Sequence, residues 1–118
     1  MTEHQDTILD PLVLQELRED LEDAFDGFVQ KFLGNARESL AMMVTAAQRG
    51  ESEAVGHQAH ALKGTAGYLG AVKLCAQLEK LQQTAKDRDR DLMSGILAAA
   101  SADFEVLETQ LLESLGKN

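Results

Sequence analysis

A chain of 118 residues, 44% of them hydrophobic and 26% charged, has the size and apolar content of one domain with one core. A formal charge of −9 argues against nucleic acid as a partner, because binding a phosphate backbone relies on clustered Lys and Arg. No apolar run approaches the roughly 18 to 20 residues that cross a bilayer, and the start Met1-Thr-Glu-His-Gln-Asp6 lacks a basic, apolar-cored leader, so a soluble cytoplasmic protein is expected.

Residues 1–6, with His4, read as a disordered tail. Asp10-Pro11 then reads as an N-cap with proline at the first helical position, opening a short helix through about Asp20. From Leu21 a long amphipathic helix is predicted, because Phe25, Phe28, Val29, Phe32, Leu33, Ala36, Leu40, Met43, Val44 and Ala47 recur three and four apart until Gly50. A third helix opens at Glu51 or Ser52, carries Val55, Ala59, Leu62, Ala66 and Leu69 inward, and closes near Gly70. Ala71, Leu74, Cys75, Leu78, Leu81 and Ala85 make a fourth stripe, on which the lone Cys75 reads as a core thiol. The run Lys86–Asp91 holds no apolar residue and reads as a solvated turn in which Asp89 or Asp91 caps the last helix, whose stripe is Leu92, Ile96, Leu97, Ala100, Phe104, Leu107, Leu111 and Leu115. The methionines and the phenylalanine stripe are assigned to the core. With one proline and many Leu, Ala, Glu, Gln and Lys, almost no strand is expected. The fold predicted is all-α, a single domain over 1–118: an antiparallel up-down-up-down four-helix bundle over about 21–115 with a short additional N-terminal helix covering one end.

The charge is unevenly spread. Residues 1–60 carry twelve acids against four bases, whereas His60–Arg88 carries five bases (Lys63, Lys73, Lys80, Lys86, Arg88) against Glu79 and Asp87. That locally basic stretch suits an anionic partner surface.

The stretch Ala59-His-Ala-Leu-Lys-Gly-Thr-Ala-Gly-Tyr-Leu-Gly70 concentrates the chemistry. At about 100 degrees per residue, Lys63, Gly64, Gly67 and His57 all fall within about 60 degrees of His60, while Val55, Leu62, Ala66 and Leu69 lie between about 180 and 240 degrees away. His60 is therefore expected to point out of the core. Glycine inside a helix costs about 0.5 to 1 kcal/mol relative to alanine, so Gly64 and Gly67 beside one imidazole call for an offsetting benefit. A shelf free of side chains would let another protein bring an acyl phosphate to the ring, and Lys63 would neutralise its oxygens. A neutral imidazole is a good nucleophile near neutral pH. No Gly-rich or Walker-type loop that could hold ATP is present, so the chain reads as a phosphoryl carrier without autokinase activity.

His60, Leu62, Lys63, Gly64, Thr65 and Gly70 resemble the signature of the histidine phosphotransfer (HPt) family, with threonine where serine is frequent. The resemblance implies that His60 is phosphorylated, at Nε2, that Lys63 assists, and that Gly64 permits close docking. It also implies that polar side chains of the next helix stand near the histidine, which points to Gln82 and Lys86. Partner docking is assigned to Gly64, Gly67, His57, Gln82 and Lys86. The implied partners are the receiver domain of a hybrid sensor histidine kinase and that of a response regulator. No cofactor or metal of the chain's own is expected, Mg2+ coming with the receiver; nor is a nucleic-acid or membrane partner, and a monomer is expected.

Two other readings are weighed. A module could dock on receivers, or inhibit them, without carrying phosphate. A metal-binding bundle could use Glu53, His57 and His60, which share a helical face, although no second histidine-bearing helix is present to complete a dinuclear site.

Overall fold

The computed structural model describes residues 7–115; the tail predicted over 1–6, with His4, lies outside the described residues. Five helices follow: α1 (Pro11–Leu21), α2 (Phe25–Gln48), α3 (Ser52–Leu69), α4 (Val72–Lys86) and α5 (Arg90–Ser114), with a 3-10 turn at Glu22–Ala24 between the first two. Among the described residues there is no strand, and no helix is long and apolar enough to cross a membrane.

The bundle is a closed ring in which α3 packs on α2 and α4, and α5 packs on α4 and α2. Every adjacent pair runs antiparallel, since contacting residue numbers rise on one helix as they fall on the other. Phe28 meets Tyr68 and Ser39 meets Gln58 between α2 and α3. Gly56 faces Ala85 and Lys63 meets Glu79 between α3 and α4. Arg37 pairs with Glu108, and the Gln48 carbonyl accepts from Arg90, between α2 and α5. The core is a single cluster in which Val29, Ala36, Met43, Val55, Ala59, Ala66, Leu69, Leu78, Leu81, Met93, Ala100 and Leu111 have no exposed surface.

Helix ends follow local chemistry. Asp10 caps α1, its Oδ1 accepting from the backbone N–H groups of Leu12 and Val13 at 3.0 and 3.4 Å. Asp89 caps α5 by accepting from Leu92 N–H. α2 and α3 both finish on a left-handed glycine with the same two bonds: Glu51 N–H to Ala46 O and Gly50 N–H to Ala47 O, then Ala71 N–H to Ala66 O and Gly70 N–H to Gly67 O.

Gly70 also fastens α1. Its carbonyl accepts from the Asp10 N–H at 2.8 Å, and Leu14 and Leu17 seat α1 on the end of the bundle. Arg18 reinforces this closure by donating to the Ser114 carbonyl and lying over the Phe25 ring. A Cβ at position 70 would stand 2.9 Å from Val13 Cβ, and the backbone φ is +89°. Gly70→Ala is therefore expected to destabilise the fold by about 2 kcal/mol through the combined backbone strain and overlap. Thermal denaturation reads this directly as a Tm lowered by several degrees; an unchanged Tm would contradict the close approach of α1.

Four features differ from the sequence reading. The long helix begins at Phe25 and not at Leu21, because Glu22 takes φ +50° and breaks the chain direction after α1. Leu92 is 52% exposed; α5 turns Met93 inward instead, giving the stripe Met93, Leu97, Ala100, Phe104, Leu107 and Leu111. Met42 and Val44 face outward, and Phe28 is half-buried against the edge of Tyr68. The solvated turn shrinks to Asp87–Asp89, because α4 runs through Lys86 and α5 starts at Arg90.

Candidate functional site

The amphipathic pattern of α3 decides which way the histidine points. Val55, Ala59, Leu62, Ala66 and Leu69 take the buried face, which leaves His60 on the exposed side, next to the seam with α4. Across that seam, Gln82 Nε2 lies 3.0 Å from His60 Nδ1. The protein therefore holds the imidazole by its Nδ1 edge, in a residue that is exposed as a whole.

The amide of Gln82 bears on the proton of the ring. A neutral imidazole carries one proton, and the partner of Nδ1 decides where it sits. With the amide nitrogen against Nδ1 the proton belongs on Nε2; with the amide oxygen there, Nδ1 keeps the proton and Nε2 keeps a lone pair. The Gln82 Oε1 is buried and has no hydrogen-bond partner among the described residues. Turning the amide would give that oxygen the Nδ1–H.

Lys63 stands one turn along α3, half-buried, with its Nζ 2.5 Å from Glu79 Oε1 on α4. The hydrogen bond from Lys63, and then its positive charge, hold the Glu79 carboxyl below the usual carboxylate range. Gly64 is exposed, and a Cβ there would meet nothing within 4 Å. Gly67 is also exposed, but its Cβ would come 3.8 Å from Cys75 Sγ, so it forms the edge of the bare area against α4. Cys75 is half-buried and not a full core residue, its Sγ 3.7 Å from the Lys63 carbonyl; burial pushes its thiol up, and the Lys63 charge opposes part of that.

On the other side of the ring, His57, Gln82 and Lys86 border a hollow of about 530 Å³ that also reaches His60. Its lining includes Gly56, which has no side chain, and Ala85, whose Cβ would lie 3.5 Å from a Cβ placed on Gly56 across the seam. His60, His57, Gln82 and Lys86 thus come together around one depression, with Lys63, Gly64 and Gly67 continuing the same strip toward Gly70. Among the described residues no group of three or more His, Cys, Asp and Glu side chains is placed to hold a metal ion, so Glu53, His57 and His60 do not assemble as a ligand set.

Three members of this site escaped the sequence reading: Glu79 had no role there, Gly56 was unremarked, and Ala85 was read only as part of the apolar stripe of the fourth helix. The signal lay in the connection between α3 and α4, only Gly70 and Ala71 long, which fixes the register. Counting outward from it sets His60 near Gln82 and Lys63 near Glu79.

The chain as a whole has counterparts among known proteins. The Hpt domain family model matches residues 27–115. Among solved structures, histidine-containing phosphotransfer protein B from Pseudomonas aeruginosa PAO1 superposes with a TM-score of 0.87 at 25% sequence identity, over 90% of this chain and 92% of that one. No curated protein sequence matches. A family match over most of the chain, joined to a helical bundle that exposes a histidine on a glycine-lined face, places this protein in the Hpt domain family, whose role is to carry phosphoryl groups in phosphorelays.

Proposed function

We propose that His60 is the residue that carries the phosphoryl group, accepting it at Nε2 from the aspartyl phosphate of one receiver domain and returning it to the aspartate of another. The observation that supports this most is the hold on the ring: the protein grips Nδ1 through Gln82 and leaves an exposed imidazole beside the open space over Gly64. His57 shares the exposed face, but its fourth following residue is Ala61 where His60 has Gly64.

In the transfer, the Nε2 lone pair attacks phosphorus in line and the phosphorus–oxygen bond to the receiver's carboxylate breaks, the carboxylate keeping the electron pair. The imidazole that results is cationic until a proton leaves. A turned Gln82 amide would stabilise the attacking ring by accepting from Nδ1–H, and Lys63 would take phosphoryl oxygens as charge spreads over them. The divalent metal that neutralises the aspartyl phosphate belongs to the receiver in this reading, which leaves nucleophile, cation and docking face to this chain. The chain then needs no autokinase activity, no nucleotide and no dimer axis, and it works as a cytoplasmic monomer between a hybrid sensor kinase and a response regulator. The basic stretch from His60 to Arg88 suits the acidic aspartate pocket such a partner must present.

The test is transfer from a radiolabelled, phosphorylated receiver domain to the wild type and to the His57→Gln and His60→Gln variants. An acid-labile, base-stable label that His57→Gln keeps and His60→Gln loses is expected. Label that maps to His57, or a stable complex with the receiver and no label at all, would replace this reading with a different acceptor or with a docking module.

A further inference from the structure

Lys63, the cation expected to meet the phosphoryl group, is already engaged. Its Nζ lies 2.5 Å from Glu79 Oε1, and the two side chains remain 32% and 55% exposed. The pair is the next rung of the α3–α4 seam after His60 and Gln82: Lys63 stands three residues beyond His60, and Glu79 three residues before Gln82. A carboxylate and a phosphoryl group on His60 would therefore address one ammonium from adjacent rungs.

We propose that Glu79 holds Lys63 off His60 in the unphosphorylated protein and competes with the phosphoryl group for it afterwards, so that Glu79 shortens the lifetime of the phosphohistidine. This rests on His60 as the phosphoryl carrier. An ion pair exposed on both sides contributes little to stability, and the same weakness lets the ammonium pass to a doubly charged neighbour without disturbing the helices. Glu79 is a positioning residue here, acting through Lys63.

The competition has a defined chemical consequence. In hydrolysis a water oxygen attacks phosphorus, the Nε2–P bond breaks with its electron pair going to the ring, and orthophosphate leaves. Protonation of the ring assists that departure. An ammonium close by stabilises the phosphoryl oxygens in the ground state and disfavours the protonated ring, and both effects slow the loss. Whatever draws Lys63 away speeds it.

The isolated protein tests this without any partner. Phosphoramidate can label histidine directly: Nε2 attacks its phosphorus, the donor's N–P bond breaks and ammonia departs. The donor is then removed and the decay of phosphohistidine is followed by phosphorus NMR. Glu79→Gln is expected to decay about threefold more slowly than the wild type and Lys63→Ala about threefold faster, the size of effect an exposed pair carries. On the Lys63→Ala background, Glu79→Gln is expected to change nothing. Decay of Glu79→Gln at the wild-type rate would overturn the proposal. So would a slowing that persists without Lys63, since the carboxylate would then act through its own field. A His60→Gln control assigns the His60 resonance and, with a phosphorylated receiver as donor, separates the two claims: label that survives in it removes His60 as the carrier and the competition with it, whereas label lost there, with Glu79→Gln unchanged, removes the competition alone.

Discussion

His60→Gln is expected to reduce phosphoryl acceptance from a phosphorylated receiver to the level of a blank, while the helical circular dichroism stays that of the wild type. Glutamine keeps a polar side chain of intermediate length and has no nitrogen lone pair able to attack phosphorus. The structural consequence is small because His60 is exposed and makes one side-chain hydrogen bond, to Gln82. Losing such a bond at a solvated position changes stability by about 1 kcal/mol at most. The two measurements therefore part company, with activity lost and the melting curve retained. Appreciable residual labelling would assign the chemistry to another nucleophile.

The second large effect lies at Gly64, where fold and function are expected to move in opposite directions. A Cβ there meets nothing within 4 Å, and glycine inside a helix is less favourable than glutamine by about 0.5 to 1 kcal/mol. Gly64→Gln is thus expected to raise the melting temperature slightly. The same side chain projects into the space over which a receiver must approach, one turn from the imidazole. Transfer from a phosphorylated receiver is expected to fall by about tenfold or more, since an overlap worth about 1.4 kcal/mol is enough for that. Labelling by phosphoramidate, which needs no protein surface, is expected to stay within about twofold of the wild type. Normal receiver transfer in this variant would refute the idea that bare backbone serves docking. So would a fall of equal size with both donors, which would place the defect in the chemistry.

Much of the architecture was legible because it depends on short-range rules. Asp10 before Pro11 marks the first helix by cap chemistry, and Gly50 and Gly70 mark two ends by left-handed backbone. The stripe Val55, Ala59, Leu62, Ala66 and Leu69 fixed the orientation of α3, and with it the exposure of His60. What escaped depends on tertiary geometry. Leu21, Phe25 and Phe28 keep helical spacing straight across the break at Glu22, so periodicity cannot show that the chain turns there. Leu92 and Met93 are equally apolar neighbours, and only the place where Asp89 starts α5 decides which turns inward. Glu79 and the pair Gly56 and Ala85 gain meaning from what faces them on another helix. One helical wheel cannot supply that.

The connection of Gly70 and Ala71 makes the chemical rungs a matter of chain length. His60 with Gln82 and Lys63 with Glu79 share one register, counted from this link. Neither end of it has slack, since Gly70 is wedged against Val13 and Ala71 is fully buried. One inserted residue would rotate α4 by about 100 degrees relative to α3 or displace it by about 1.5 Å. The phasing of nucleophile, amide and cation is thus stored in a corner that contains none of the three.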